Sequence, residues 1–442
     1  MIYQKLNQLL LLLAIVSLSC TAVFAQKPNV VLIMADDFGY ECITANGGSS
    51  YKTPNIDKLS KEGVRFTNCY VQPLCTPTRL QLMTGQYNVR NYTIFGELHH
   101  EQKTFGNLFR DAGYETGIFG KWQLGNEPGL PAHFGFDTYC LWQHMRRPPR
   151  YANPGLEIND KKEDYNNGEY GPDLVLQHAL DFIDMNKENP FLLYFPMILT
   201  HAPFQPTPGS PDWDSERQGE QYTNVKHFAE MTEHMDANVG KLIKKLEETG
   251  LREKTLLIFI GDNGTATNVT SIFNGQTYRG GKGQTTAAGM RVPMVVSFPG
   301  TIQKGLVCDD LVASTDFLPT ICEAAGIAIP KDWTMDGISF YSQLFGRKGT
   351  PRDSIYCWYL GQRKEGQETI CVQNKQYKLY TDGKLYDYVA DRLEKNPIGK
   401  DARNAEQKTV VAELQKVLDN YKDARPEWIR TSGRAFDRTQ IP

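Results

Sequence analysis

The stretch "VVLIMADD", residues 30–37, joins an unbroken apolar segment to two consecutive aspartates. Apolar continuity without polar alternation is typical of a strand that is buried on both faces of a sheet. Similar runs, separated by helical patterns, recur at residues 116–119, 191–195, 256–260 and 293–298. The pattern predicts an α/β fold in which helices flank a large mixed, mostly parallel sheet.

The pattern of apolar and polar residues changes near residue 345. Short apolar segments flank the turn sequence Thr381-Asp382-Gly383, and a helical pattern with Leu414 and Leu418 on one face follows. We therefore predict a main domain at residues 26–345 and a smaller C-terminal α+β subdomain at residues 346–442.

Composition and charge narrow the class of protein. The 442 residues are 40% hydrophobic, which is enough apolar material for a large core and argues against disorder. The formal net charge is only −3, from 48 basic and 51 acidic residues. A net charge this small produces no overall electrostatic field that would attract nucleic acid or a membrane surface. Any site for an anion must therefore be local.

Residues 1–25 resemble an export signal. Lys5 supplies a positive start, residues 9–16 are an apolar run, and Ala25 ends a short segment with small residues at cleavage-type positions. The run is shorter than the roughly 20 residues that span a membrane. We expect an exported protein, periplasmic or secreted, without an integral membrane span; a lipid anchor at Cys20 is the alternative. The remaining cysteines are too sparse for a disulfide framework.

Acidic and amide residues end two of the apolar runs. Asp36 and Asp37 follow the first run, and Asp262 and Asn263 follow the run at 256–260. Ligands bind beyond the carboxyl ends of strands in open α/β sheets, and carboxylates gathered there repel one another unless a cation joins them. The four residues suit one Ca²⁺ or Mg²⁺. Taken singly, each pair is also an ordinary turn sequence.

Three cationic or titratable residues flank other runs: Lys121, His201 and Lys282. Each by itself is most often a solvated side chain or a satisfied core group. If the fold brings them to the same edge of the sheet, they can bind an anionic group beside the metal.

The sequence "CTPTR", residues 75–79, has the pattern of a helix start, with Thr76 as the N-cap and Pro77 in the first helical position. A helix N-terminus favours an anion, so it is expected to lower the pKa of the Cys75 thiol and to hold an oxyanion. Arg79 lies one turn further on and can point back toward position 75. A disulfide with Cys69, or a plain buried thiol, is the alternative.

The motif from Cys75 to Arg79, followed by Met83-Thr84-Gly85, resembles the signature of the type I, formylglycine-dependent sulfatases of the alkaline phosphatase superfamily. Further blocks match this family in the same order, at residues 36–37, 120–125, 200–204, 261–264, 282–293 and 385–387. The likeness extends over nearly the whole mature chain and implies the corresponding fold.

The resemblance implies a chemistry for position 75. A maturation enzyme would oxidise Cys75 to Cα-formylglycine, which hydrates to a geminal diol and acts as the nucleophile. It also implies roles for the residues already singled out: Asp36, Asp37, Asp262 and Asn263 as ligands of one divalent ion, usually Ca²⁺, that also contacts position 75; Arg79 as the residue that steadies formylglycine; Lys121 and Lys282 as sulfate-binding lysines; and His201 as the histidine near the leaving oxygen.

Gln123 departs from the family pattern, in which histidine is frequent at this position. Glutamine can orient formylglycine by a hydrogen bond but cannot accept a proton at neutral pH, so the base that releases sulfate is unassigned.

A cationic loop, "LWQHMRRPPRY", combines Trp142 as a stacking surface with Arg146, Arg147 and Arg150. It suits a sulfated sugar that carries further negative charge, although it also fits a solvated loop. We expect Arg146 and Arg147 to bind substrate and the substrate to be a sulfated carbohydrate. A phosphonate monoester or phosphodiester hydrolase of the same superfamily, and a catalytically silent protein that binds sulfated glycans, are the alternatives.

Overall fold

The computed structural model describes residues 27–216 and 223–431. The predicted export signal at residues 1–25 and the alternative lipid anchor at Cys20 lie outside these residues. The strands are β1 Asn29–Ala35, β2 Val64–Tyr70, β3 Glu115–Lys121, β4 Thr138–Trp142, β5 Gly155–Ile158, β6 Lys161–Asp164, β7 Phe191–Pro196, β8 Thr255–Gly261, β9 Thr270–Phe273, β10 Gln276–Arg279, β11 Met294–Ser297, β12 Leu306–Ala313, β13 Ile355–Tyr359, β14 Thr369–Gln373, β15 Tyr377–Tyr380 and β16 Leu385–Asp387.

A ten-stranded sheet organises the main part of the molecule, in the order β12-β2-β11-β8-β1-β7-β3-β4-β5-β6. Each apolar run predicted as a strand lies in this sheet. The strand β1 is central and pairs in parallel with β7 and β8. Its alternate residues are buried in two separate apolar clusters, one on each face of the sheet. Burial on both faces explains why the sequence of β1 is continuously apolar.

The sheet is mixed because β11 runs antiparallel to both of its neighbours, β8 and β2. The strand β2 therefore runs in the same direction as β8. As a result, the start of β11 lies at the same edge as the carboxyl ends of β1, β2, β3, β7 and β8. This reversal decides which loops meet at that edge.

Helices cover both faces of the sheet. The helices Gly171–Met185 and Phe228–Glu248 pack against each other on one face, and the helix that starts at Cys75 lies on the other. None of the described helices is both long and apolar enough to cross a membrane. The α-helices are α1 Pro54–Glu62, α2 Cys75–Thr84, α3 Asn88–Asn91, α4 Phe105–Asp111, α5 Leu130–His133, α6 Gly171–Met185, α7 Phe228–Glu248, α8 Ala287–Met290, α9 Phe317–Ala325, α10 Ala405–Tyr421 and α11 Glu427–Thr431.

A smaller antiparallel sheet, β13-β14-β15-β16, follows the main sheet along the chain. Its last hairpin turns at Gly383, whose φ of 84° suits glycine. Helix α10 covers this sheet and buries Leu414 and Leu418, as predicted. The α/β class with a large mixed sheet and a smaller C-terminal element is therefore confirmed, whereas the exact boundary between residues 345 and 346 stays a prediction.

Candidate active site

The predicted polar residues meet at one edge of the large sheet. Asp36 and Asp37 follow β1, Lys121 ends β3, and Asp262 follows β8. Lys282 precedes β11, and it reaches the same edge because that strand is antiparallel. Direct contacts link these residues, so the structure brings the acids and the cations of the sequence prediction into one site.

The acids form a buried cluster. The backbone N–H of Asp37 donates to Asp262 Oδ1 at 3.0 Å, and Asn263 Nδ2 donates to Asp37 Oδ1 at 2.8 Å. Two acceptor oxygens, Asp36 Oδ1 and Asn263 Oδ1, are buried without a hydrogen-bond donor among the described residues. Unpaired acceptors next to carboxylates are the oxygen ligands that a hard divalent cation prefers. The cluster therefore fits the predicted metal.

The electrostatics of the cluster are dominated by burial and by the surrounding cations. Burial by itself would raise the pKa of Asp36, but Lys121 and other nearby cations outweigh it and hold the pKa well below its usual range. Asp37 behaves in the same way, with Lys282 as the main cation that lowers its pKa. Burial, reinforced by the charge of Asp36, raises the pKa of Asp262 to about 7. The site thus already stabilises negative charge on two carboxylates.

Two lysines reach into the cluster from opposite sides. Lys121 Nζ lies 2.8 Å from Asp36 Oδ2, and both side chains are almost fully buried. Lys282 Nζ lies 2.7 Å from Asp37 Oδ2 and 3.0 Å from His201 Nε2. The two ammonium groups are thus held beside the acids, in position to face an anion that binds over them.

His201 is held in one orientation. Its Nδ1 lies 2.5 Å from the carbonyl oxygen of Ala202, which assigns the proton of the neutral ring to Nδ1 and leaves Nε2 to accept from Lys282. The Tyr151 hydroxyl donates to the carbonyl oxygen of His201. Burial, with a further contribution from Lys282, lowers the pKa of His201 to about 3 against the opposing effect of Asp37. The imidazole is therefore neutral and its Nε2 faces the site.

Cys75 opens helix α2, two residues earlier than the sequence suggested. The helix spans Cys75–Thr84 with Leu74 at the N-cap position, so Thr76 as the cap and Pro77 as the first helical residue were wrong. The Thr76 hydroxyl instead accepts a hydrogen bond from Gly96 N. None of the cysteines in the described part of the chain is in a disulfide, Cys69 included.

The thiol of Cys75 points at Gln123. Cys75 Sγ lies 2.9 Å from Gln123 Oε1, and Gln123 is held in a left-handed conformation with φ of 54°. Burial, together with the nearby charges of Asp262 and Asp36, raises the pKa of the thiol. The prediction that the helix terminus lowers this pKa was therefore wrong, because burial and the two carboxylates outweigh the helix terminus and the lysines. A free thiolate nucleophile is disfavoured in this site.

Arg79 connects the nucleophile helix with the acids. Its Nη2 lies 3.2 Å from Asp262 Oδ2, and its Nη1 donates to the carbonyl oxygen of Lys121 at 3.0 Å. The side chain is 1% exposed. Arg79 therefore fixes the position of α2 against the ends of β3 and β8.

Arg146 already has two carboxylate partners. Its guanidinium lies 2.8 Å from Glu157 and 2.6 Å from Asp164, on the hairpin formed by β5 and β6. These ion pairs match its charge and anchor the loop. Substrate binding by Arg146 and Arg147 stays a prediction.

Two polar residues that the sequence analysis did not single out join the acidic loops. Thr265 Oγ1 accepts from Gly39 N at 3.0 Å and donates to Glu41 Oε1 at 2.5 Å. Burial raises the pKa of Glu41. Thr265 follows Asp262 and Asn263 by a few residues, and Glu41 follows Asp37 in the same way. The sequence signal that could have identified Glu41 and Thr265 is therefore the occurrence of further polar residues a few positions after each acidic pair.

The arrangement can bind a tetrahedral anion. Two ammonium groups, a buried guanidinium and a cluster suited to a divalent cation surround the first turn of α2, where Cys75 lies. Charge of this kind stabilises the oxygens of an ester during nucleophilic displacement. Lys282, either directly or through the neutral imidazole that it contacts, can supply a proton to a leaving oxygen.

Family models match most of the chain. One, described as Sulfatase, matches residues 28–327. A second, described as N-sulphoglucosamine sulphohydrolase, C-terminal, matches residues 284–424.

Individual proteins agree with the family models. The chain is 32% identical to arylsulfatase A of Homo sapiens over 419 residues, covering 85% of this chain and 80% of the relative. It is 29% identical to N-acetylgalactosamine-6-sulfatase of Canis lupus familiaris, covering 80% of this chain and 72% of the relative. The crystal structure of Ps i-CgsB in complex with k-i-k-neocarrahexaose superposes with a TM-score of 0.78 at 25% identity, covering 94% of this chain and 96% of that one.

Proposed function

We propose, since this chain belongs to the sulfatase family, that it hydrolyses a sulfate monoester carried by a carbohydrate. The relatives named above are sulfuric ester hydrolases, and this enzyme class was the one expected from the sequence. That the sulfate is carried by a carbohydrate goes beyond what membership of the sulfatase family implies. It is supported by a relative named for a sugar sulfate and by a structural neighbour that holds an oligosaccharide.

One observation carries the proposed chemistry: the side chain at position 75 and two unpaired acceptor oxygens lie in the same buried site. Asp262 links them, because it accepts a hydrogen bond from Asp37 N on one side and pairs with Arg79 of helix α2 on the other. A cation bound to the acids would therefore adjoin the group at position 75.

Asp36, Asp37, Asp262 and Asn263 would hold one divalent cation, Ca²⁺ or Mg²⁺, with the group at position 75 as a further ligand. Bound there, the cation supplies positive charge against the oxygens of the sulfate. Lys121 and Lys282 keep two of the carboxylates ionised in its absence.

Formylglycine made from Cys75 by a maturation enzyme would supply a hydrated aldehyde as the nucleophile and as the group that later releases sulfate. The raised thiol pKa supports Cys75 as a precursor, since the thiol itself is poorly ionised. Gln123, 2.9 Å from the sulfur, would orient the hydrate by a hydrogen bond.

The remaining residues bind the anion and handle the proton. Lys121 and Lys282 face the sulfate. The departing alcohol oxygen takes its proton either directly from Lys282 or from His201 after Nε2 of His201 has received a proton from Lys282. Charge-assisted hydrogen bonds contribute roughly 1.5 to 3 kcal/mol each. Several of them supply an appreciable part of the approximately 8 to 23 kcal/mol by which enzymes lower a barrier.

The test is turnover by matured protein produced in its native host. We expect release of inorganic sulfate from 4-nitrophenyl sulfate, loss of activity on chelation, and its return on addition of Ca²⁺ or Mg²⁺. A parallel assay with phosphate and phosphonate esters decides between the two hydrolase classes, and kcat/KM in favour of phosphorus esters would overturn the proposal. Binding of sulfated sugars without turnover would instead support a silent glycan-binding protein. Recovery of the active protein from the periplasm or medium, without its first 25 residues, tests the proposed export.

A further inference from the structure

Arg150 is a buried cation that forms no ion pair with a carboxylate of the described residues. Its side chain is 6% exposed, and its Nη1 has no hydrogen-bond partner within the parts of the chain that the structure describes. Arg146, four residues earlier, instead has two carboxylate partners. A buried charge is costly unless a counter-charge or a set of acceptors compensates it. The missing partner of Arg150 is therefore expected to arrive with a ligand.

The guanidinium of Arg150 is held in a fixed position. Its central carbon lies 3.8 Å from the centroid of the Trp142 ring. Stacking on an aromatic face keeps the planar fork in one orientation and lowers the entropy lost when it binds an anion. The fork is thus prepared for a planar or tetrahedral group with two acceptor oxygens.

Arg150 also lies beside the candidate active site. Trp142 is the register partner of Lys121 on neighbouring parallel strands, so the two side chains rise from the same face of the sheet. On the other side, the next residue, Tyr151, donates to the carbonyl oxygen of His201. The charge of Arg150 is one of the influences that lower the pKa of His201. The guanidinium therefore belongs to the His201 side of the site, where the leaving oxygen is expected.

A cavity whose wall includes chain neighbours of Tyr151 and His201 has room for a sugar. This cavity of about 520 Å³ is lined by Ala152, which follows Tyr151, and by Gln205, which lies close after His201 in the chain. Trp213, Asn224 and His227 complete much of its wall. Aromatic and polar side chains in a concave surface are typical of sites for small polar ligands.

We propose that Arg150 recognises a second anionic substituent, a sulfate or a carboxylate, on the carbohydrate that carries the scissile sulfate. This inference rests on the function proposed above. The scissile group already has Lys121, Lys282 and the cation site as partners, whereas Nη1 of Arg150 lacks a hydrogen-bond partner among the described residues. Arg150, rather than Arg146, is then the arginine of the cationic loop that selects substrate.

The experiment compares matched substrates. Monosaccharides that carry two sulfates, or a sulfate and a carboxylate, are each paired with the same sugar carrying one sulfate. 4-Nitrophenyl sulfate, which has no second anionic group, reports sulfate ester hydrolysis itself. For Arg150→Gln we expect kcat/KM to fall about 10- to 150-fold on the preferred doubly charged sugar, mainly through a higher KM. On the singly charged substrates it should change less than about threefold.

Two further variants complete the design. Arg110→Gln removes the same charge near the opposite edge of the sheet, where Arg110 Nη1 donates to the carbonyl oxygen of Ala132 at 2.7 Å, and it should leave every substrate unaffected. Arg150→Lys keeps the charge but loses the fork, so it should lose part of the preference for the second anion. This variant keeps the test decisive if thermal unfolding shows that Arg150→Gln is not folded.

The outcomes separate the two proposals. Equal losses on singly and doubly charged substrates would overturn the inference, because Arg150 would then act on the scissile sulfate or on the fold. The inference is also overturned if the wild type shows no higher kcat/KM for the doubly charged sugar in any of the pairs. The same holds if the Arg150 variants keep the full wild-type preference for a doubly charged sugar. A matured wild type without turnover of any sulfate ester contradicts the proposed function itself.

Discussion

Replacing Lys121 by methionine removes the ammonium group that faces Asp36 inside the site. The two atoms are 2.8 Å apart, and the side chains are 1% and 0% exposed. At an effective dielectric constant of about 20, unit charges at this distance attract by roughly 6 kcal/mol. Part of this attraction is offset by the cost of burying both charges. Removal of one partner from a buried pair destabilises proteins by about 3 to 5 kcal/mol, and we expect a loss of this size in metal-free protein.

A bound divalent cation changes this expectation. If Asp36 is a metal ligand, Ca²⁺ gives its carboxylate a second positive partner, and the loss caused by Lys121→Met becomes smaller at saturating Ca²⁺. The free energy of unfolding in urea, with chelator and with Ca²⁺, measures both values. Lys245→Met is the control, because Lys245 lies 2.7 Å from Asp184 in a more exposed ion pair. Its loss should be too small to resolve in either condition.

An equal loss of unfolding free energy for Lys121→Met with and without Ca²⁺ would contradict a role for Asp36 as a metal ligand. That result would mean that Asp36 gains no partner from the cation. A loss as small as that of the Lys245 control would show instead that the buried pair contributes little.

Three further predictions follow from single contacts. Cys75→Ala should lower kcat by at least about 10³-fold, as removal of a catalytic nucleophile does, while calorimetry still detects Ca²⁺ binding; full activity would exclude position 75 as the nucleophile. Gln123→Ala should lower kcat by about 2- to 13-fold, since it loses one hydrogen bond of roughly 0.5 to 1.5 kcal/mol; a loss beyond about 10³-fold would show that Gln123 does more than orient. Gly120→Ala should lower the stability by more than about 1 kcal/mol, because its Cβ would lie 2.0 Å from Pro196 O at φ of 127°; an unchanged melting temperature would contradict the tight contact between β3 and β7.

Much of the fold could be predicted because the buried strands carry a strong signal. The runs in β1 and β8 are apolar throughout since both faces of the sheet are covered. The direction of β11 could not be predicted, because an apolar run does not state whether its neighbours are parallel. That direction places Lys282 at the same edge as Asp37, which the sequence could state only as a condition for anion binding.

The candidate site could be predicted where a group of residues allows few other interpretations. Paired acids after buried strands indicated a cation site, and their contacts and unpaired oxygens agree with it. The ionisation of Cys75 was not predictable, because it depends on how completely the fold buries the thiol and on its distance from Asp262. The contrast between Arg146 and Arg150 also lay beyond the sequence. Only the structure shows that the β5–β6 hairpin supplies carboxylates to the first and none to the second.

Mass spectrometry of the tryptic peptide that contains position 75, from active protein purified from its native host, shows directly whether Cys75 is converted to formylglycine. We expect the side chain at position 75 to be an aldehyde or its hydrate, in a fraction of molecules that matches the fraction of active sites. A peptide that carries only an unmodified cysteine, in protein that fully hydrolyses sulfate esters, would contradict it.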